Sequence, residues 1–190
     1  MKKIFPIRTL ANIISKIKKK GKKIVLCHGV FDLLHVGHIK HLKKAKELGD
    51  VLVVTLTADQ YVNKGPNRPV FNQNLRSESI AALEPVDYVA INDAPTAINP
   101  IKIFKPNIYC KGKDYKNPKE DITGEIKNEI KELKKNNGNI YFTEELTFSS
   151  SRLINRSTDF YSPRQKKILK KISKTSNFKI IKKNIDDFKK

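Results

Sequence analysis

Gly29-Val30-Phe31-Asp32-Leu33-Leu34-His35-Val36-Gly37-His38 is the stretch around which the rest of the chain is arranged. An apolar run, Ile24-Val25-Leu26, comes before it and reads as a buried strand. A helical pattern follows, Ile39, Leu42, Ala45 and Leu48, and ends at Gly49. The stretch is therefore a strand, a short loop and a helix start, with two histidines placed around that start. A helix N-terminus has unpaired N–H groups and the positive end of a dipole, so it attracts phosphate. Two imidazoles three residues apart add donors to the same oxygens. All four histidines of the chain (His28, His35, His38, His41) fall within fourteen residues. Core packing alone does not produce that clustering.

The chain has 190 residues, which fits one domain plus extensions. With 38% hydrophobic residues it can bury a modest core. No apolar run approaches the ~18 residues of a membrane-spanning helix. The start, Met1-Lys2-Lys3-Ile4-Phe5-Pro6, is basic but lacks the apolar stretch and cleavage site of a signal peptide. A cytoplasmic location is therefore expected. Cys27 and Cys110 both fall in or beside predicted buried strands and read as reduced core residues, with no disulfide framework.

The net charge of +20 invites a nucleic-acid reading, but its placement weakens it. Residues 1–23 hold nine Lys/Arg and no acid, and residues 156–190 hold twelve Lys/Arg and three acids. Each arm is thus +9, and the 132 residues between them carry only +2. Solvated lysine faces are the reading we favour for the arms.

Along the chain, residues 9–20 read as an amphipathic helix with Leu10, Ile13, Ile14 and Ile17 on one face, Thr9 as cap and Gly21 as stop. Strands are expected at 24–28, 51–57, 87–91, 107–111 and 139–143. Helices are expected at 72–83 (Leu75, Ile80 and Leu83 inward), 95–104 and 122–135 (Ile122, Ile126, Ile130 and Leu133 inward). Pro66 and Pro69 break the loop after the second strand. Residues 112–115 form a turn, and Ser149-Ser150-Ser151-Arg152 read as a capped helix start. This alternation predicts an α/β fold: a Rossmann-like, doubly wound, five-stranded parallel sheet with helices on both faces. The organisation is an N-terminal basic amphipathic helix (1–23), a main domain (24–155) and a basic C-terminal extension (156–190). Such sheets bind ligands at the C-terminal ends of their strands, and the unusual residues fall in those loops.

At residues 29–38 the chain resembles the GxFDxxHxGH motif of the cytidylyltransferase-like nucleotidyltransferases. These join a nucleoside triphosphate to a phosphorylated small molecule and release pyrophosphate. Further blocks carry the resemblance: Arg68-Pro69-Val70 followed by Arg76; Ala82-Leu83-Glu84-Pro85-Val86-Asp87; Lys111-Gly112-Lys113-Asp114-Tyr115; and Phe148-Ser149-Ser150-Ser151-Arg152-Leu153-Ile154. Within the superfamily they look most like the adenylyltransferase domain of the bifunctional heptose kinase/adenylyltransferases that make ADP-heptose. Related glycerol-3-phosphate cytidylyltransferases have an arginine where this chain has Glu144 and Glu145, and an aromatic residue where it has Val36. Both departures count against the glycerol reading. Three serines stand where the family usually has threonines, which keeps the hydroxyls.

The resemblance implies in-line attack of a substrate phosphate on the α-phosphorus of ATP or CTP, chemistry that rests on positioning and charge stabilisation. The expected catalytic residues are His35, His38, Lys64 and Arg152. Expected at the nucleotide are Gly29, Val30, Phe31, Asp32, Gly37, Lys111, Gly112, Asp114, Tyr115, Phe148, Ser149, Ser150 and Ser151, with Phe31 reading better as a packing residue. His28, Asp59 and Arg76 are expected at the acceptor, Arg76 because a guanidinium matches phosphate bidentately. Mg²⁺ is the expected cofactor, held by phosphate oxygens and water without a dedicated carboxylate cluster. Cys27 with the four histidines lacks the spacing of a known structural zinc motif, and His41 reads as a helix-surface residue. The resemblance further implies a homodimer. It also implies a pairing with a sugar kinase, which is fused to a similar domain in some relatives; this chain would then be a standalone form or a fragment.

Three other readings compete. A basic nucleic-acid-binding protein leaves the histidine and serine blocks unexplained. A class I aminoacyl-tRNA synthetase fragment would be longer, with a lysine pattern in its final block. A non-catalytic nucleotide sensor would share the fold, yet every residue type the chemistry needs is present.

Overall fold

A computed structural model of the chain describes residues 2–64, 68–116 and 124–144, together with residues 164, 167 and 168. Five parallel strands form one sheet: β1 (Ile24–Gly29), β2 (Val51–Thr57), β3 (Tyr88–Asn92), β4 (Ile108–Gly112) and β5 (Asn139–Thr143). Their order across the sheet is β3-β2-β1-β4-β5. This is the expected doubly wound α/β sheet. The winding reverses between β1 and β4, so the loops after these two strands border a crevice.

Both faces are covered. On one lie α2 (Val36–Glu47) and α3 (Gln73–Ala81), whose Leu42, Ala45 and Ile80 are fully buried with Val25, Cys27, Leu52, Val54, Leu56 and Cys110. On the other lie α1 (Ile7–Lys19), α4 (Ile98–Phe104) and α5 (Ile126–Lys134), which bury Leu10, Ile14, Ile101, Phe104, Ile126 and Leu133 against Ile24, Leu26, Val53 and Tyr109. Successive residues of β1 alternate between these cores, as the period of a two-sided strand requires.

Several details differ from the sequence reading. α1 begins at Ile7 after an extended Pro6 and has no side-chain cap, so Thr9 sits inside the helix. The segment is no free arm: Lys3 and Phe5 exchange backbone hydrogen bonds with Val89 (2.9 and 3.0 Å), and Leu10 and Ile14 belong to the core. The chain divides into two compact units after residue 150, which leaves residues 1–23 in the first. Leu75, expected inward, is 48% exposed. The inward face of α3 is Arg76, Ser77 and Ile80, and Asn72 caps the helix through its side-chain oxygen. α4 starts three residues later than its pattern suggests. Ile122 lies outside the described residues. Glu129, on a helix that reads as solvated Lys and Glu around an apolar stripe, is 3% exposed. It accepts from Ala97 N and Tyr109 Oη, both at 2.9 Å.

Gly138 joins α5 to β5 at a tight crossing. A Cβ there would lie 2.6 Å from the Pro106 carbonyl oxygen and would overlap Leu133. Backbone cannot yield as a flexible side chain can, so Gly138→Ala is expected to destabilise the fold by about 1–3 kcal/mol, read as a lower urea midpoint with unchanged m-value.

Candidate active site

The loop after β1 turns through Phe31, which has a positive φ of 49°, an uncommon conformation for a bulky residue. Its ring is buried and meets His38 edge-on at 5.3 Å. Phe31 is thus a packing residue beneath the site. A Cβ at Gly29 would come within 3.2 Å of that ring, so the strand end and the loop are closely packed there. His35 is the N-cap of α2: its Nδ1 accepts from the Gly37 N–H at 3.1 Å. Gly37 is buried within the first turn of α2. The His35 and His38 rings stack with centroids 3.8 Å apart and planes 24° apart. Two imidazoles are thereby presented together at a helix N-terminus, at the C-terminal end of the central strand.

Neither imidazole of the pair is favoured as a cation by its surroundings. Burial, then the charge of Lys64, lowers the pKa of His35. Burial, then His35, Lys64 and His41, pushes His38 down to about 3, against a hydrogen bond to the Leu33 backbone carbonyl that raises it. Lys64, the last described residue ahead of Arg68, therefore belongs electrostatically to this pair.

Asp32 organises the loops. It is 2% exposed. It accepts from Val70 N at 2.6 Å and Phe71 N at 3.4 Å, and pairs with Nε of Arg68. It therefore shapes the loop after β1 and ties it to the chain after β2. Arg68 is not among the site residues the sequence suggests, although the Arg-Pro-Val block marks its position. The Val30 carbonyl points back to accept from Arg76.

Three sequence-derived acceptor residues are placed otherwise. Arg76 is 1% exposed, and its guanidinium donates to the carbonyls of Phe71 (3.0 Å), Thr57 (2.9 Å) and Val30 and to the Asp59 carboxylate (2.6 Å). Asp59 also accepts from Gln73 N at 3.0 Å. This pair clamps the ends of β1 and β2 to the start of α3 and holds the loops in place. His28 has both ring nitrogens on β2 hydroxyls, Nδ1 with Thr55 at 2.9 Å and Nε2 with Thr57 at 3.3 Å. Burial and the charge of Lys111 push its pKa down to about 3.

Across the crevice, Gly112 ends β4 with open space where a Cβ would stand. Asp114 and Tyr115 follow in a short 3-10 turn. The ammonium of Lys111 lies 3.9 Å from the Tyr115 ring centroid and 3.7 Å from Glu129. It therefore braces Tyr115 from behind. Phe148, Ser149, Ser150, Ser151 and Arg152 lie outside the described residues.

A family model described as Cytidylyltransferase-like matches residues 26–178. The chain belongs to the cytidylyltransferase-like family. It is thereby a nucleotidyltransferase. Curated relatives include the Bifunctional protein HldE of a Nitratiruptor species, 48% identical over 122 residues, which are 63% of this chain and 26% of that protein. The same-named protein of Geobacter metallireducens is 48% identical over 115 residues, 60% of this chain and 24% of that one. The chain thus spans about a quarter of the length of these relatives. Among solved structures, the lipopolysaccharide core biosynthesis protein of Thermoplasma volcanium GSS1 is 31% identical, with a TM-score of 0.56, and 67% of this chain covers 100% of it. A pantoate-β-alanine ligase from Francisella tularensis shares the fold at 20% identity and a TM-score of 0.58 over 99% of this chain and 86% of its own.

The histidine environments set a pH dependence of stability. An unfolded histidine titrates near ~6.5, whereas folded His28 and His38 are held down to about 3. As pH falls below ~6.5, the unfolded chain binds protons that the folded chain refuses, so stability drops towards pH 3. Each contributes on the order of 1 kcal/mol per pH unit in that window. Urea unfolding is expected at a clearly lower midpoint near pH 5 than near pH 7; equal midpoints would mean both imidazoles protonate freely in the fold.

Proposed function

We propose that this chain transfers the nucleotidyl group of a nucleoside triphosphate, ATP in preference to CTP, to a phosphorylated sugar of the heptose 1-phosphate class. Pyrophosphate leaves, and the product is a nucleoside-diphosphate sugar destined for surface polysaccharide. The observation carrying this reading is the stacked His35–His38 pair at the N-terminus of α2, beside Lys64 and the crevice between β1 and β4. The sugar class rests on the likeness to the bifunctional HldE proteins and to the lipopolysaccharide core biosynthesis protein.

In the proposed reaction an oxygen of the acceptor phosphate attacks the α-phosphorus. The bond from that phosphorus to the α,β-bridging oxygen breaks, and the electron pair leaves on pyrophosphate. Neutral His35 and His38 meet the incoming triphosphate with N–H donors. Those N–H groups stabilise charge on the α-phosphate and the leaving group. Lys64 adds charge at the same oxygens. Gly112, Asp114 and Tyr115 border the place for base and ribose. Ser149, Ser150, Ser151 and Arg152 are assigned to the β- and γ-phosphates by resemblance. Arg76, Asp59 and His28 act here as positioning residues.

Magnesium would be held by the triphosphate oxygens and water, where it would offset their charge. The carboxylates of Asp32 and Asp59 are both taken by arginines and backbone N–H groups, so neither is held out as a magnesium ligand. By the same resemblance we expect a homodimer, cytoplasmic action and a companion sugar kinase that phosphorylates the acceptor.

The test is pyrophosphate release with magnesium and each of ATP, CTP, GTP and UTP against heptose 1-phosphate, glycerol 3-phosphate and phosphoethanolamine. Release with ATP and heptose 1-phosphate alone is the expected result. Release with CTP and glycerol 3-phosphate would replace the substrate assignment while keeping the chemistry. Silence across the panel, with tight salt-sensitive RNA binding, would overturn the reading.

A further inference from the structure

The sheet face beneath α2 holds a second group of residues that the nucleotidyl-transfer chemistry does not use. Cys27 of β1 and Cys110 of β4 are register partners on neighbouring parallel strands. Both belong to the same buried cluster, so both thiols point to the α2 face. His41 comes down from α2, one turn after His38. One sulfur from each cysteine and one nitrogen of His41 all lie within 4.8 Å of one another. This is not the helix-surface position its sequence context suggests.

The orientation of the His41 ring is fixed by its other neighbours. Its Nδ1 lies 2.8 Å from the Thr143 hydroxyl. That hydroxyl donates to the Lys111 carbonyl at 3.4 Å, so it accepts from Nδ1–H and leaves the Nε2 lone pair for the thiols. An imidazole held by a hydrogen bond at its far nitrogen is the usual arrangement around a metal-binding histidine. Two sulfurs and one imidazole, buried and without a carboxylate among them, form a soft donor set.

We infer that Cys27, Cys110 and His41 form a binding site for a thiophilic d¹⁰ cation, zinc(II) or copper(I), that fastens α2 to β1 and β4. Two donor features bear on the choice of ion. Two thiolates and a neutral imidazole cancel the charge of zinc, which suits a buried place. Three protein donors suit copper(I), whereas zinc takes a fourth ligand. Binding converts two thiols to thiolates, forms two metal–sulfur bonds and one metal–nitrogen bond, and releases two protons to solvent. No oxidant or reductant is needed.

The site lies one helical turn from the phosphate-binding pair and shares no residue with it, so the two can be separated by experiment. Reduced, chelator-treated full-length protein would be titrated with zinc(II) and, anaerobically, with copper(I), each against a chromophoric competitor. One equivalent of either ion should bind with release of about two protons at neutral pH, and the melting temperature should rise. Cobalt(II) loading should give a thiolate-to-metal charge-transfer band. Cys110→Ala should abolish the band and weaken binding by at least about 100-fold. His41→Gln, which can keep the hydrogen bond to Thr143, and Thr143→Val should each weaken it about 10–100-fold. A His35→Ala/His38→Ala variant should bind as wild type does. The inference is overturned if neither ion binds stoichiometrically, if binding survives Cys110→Ala, or if it vanishes with His35 and His38. Should Cys110→Ala fail to fold, His41→Gln and the cobalt spectrum decide.

Discussion

Replacing His38 with alanine is expected to lower the rate of pyrophosphate release by about 10²–10³-fold while far-UV circular dichroism stays that of the wild type. The imidazole stands on the first turn of α2, stacked on His35 at 3.8 Å and braced by the Phe31 ring at 5.3 Å. It is held where an α-phosphate would meet the helix N-terminus, and a preorganised donor costs no reorganisation when charge develops. Alanine removes that donor and leaves the helix dipole, Lys64 and His35, so residual activity is expected. His38→Gln keeps a donor and should retain more activity than alanine. His38→Ala with full activity would remove the stacked pair from the mechanism.

Arg76→Met is expected to cost about 3–5 kcal/mol of stability, the range for breaking a buried charged pair. The guanidinium belongs to the largest fully buried side chain among the described residues. It satisfies three backbone carbonyls, from Val30, Thr57 and Phe71, and one oxygen of Asp59. Methionine fills part of the volume but leaves those acceptors without donors inside the fold. Asp59 is partly exposed and recovers some hydration, so most of the penalty falls on the carbonyls. Against a typical domain stability of about 5–15 kcal/mol, the variant should be marginal at physiological temperature, and its urea midpoint measures the loss. A loss below about 1 kcal/mol together with a raised KM for the acceptor would return Arg76 to the substrate-binding role its sequence context suggests.

Arg76 and His28 also show where reading the sequence stops. Charge and position place both near the strand ends, and there they are. What each side chain faces depends on the register of β2 and the pitch of α3, and neither has a local signature. Glu129 is similar: nothing in a Lys- and Glu-rich helix marks the one carboxylate that meets Tyr109 and the Ala97 N–H. The apolar character of Leu75 points it inward, yet the short α3 turns Arg76, Ser77 and Ile80 to the core instead.

By contrast, the five strands, the parallel winding and the helix start at His35–His38 are all legible. The apolar runs are bounded by Gly and Pro, and the two histidines sit at a fixed spacing from the end of β1. The grouping of Cys27, Cys110 and His41 is not legible, because it depends on β4 lying beside β1. Sequence separation says nothing of that neighbour.

Nucleotidyl transfer at the α2 N-terminus is read from the fate of the α-phosphorus. ATP carrying label at the α-phosphate would be incubated with magnesium, heptose 1-phosphate and the full chain, and the products separated. The label is expected in a nucleoside-diphosphate sugar, with an equal amount of unlabelled pyrophosphate, and both should form about 10²–10³-fold more slowly in His38→Ala. Label remaining in ATP under every acceptor tried, or appearing only in free AMP, would contradict it.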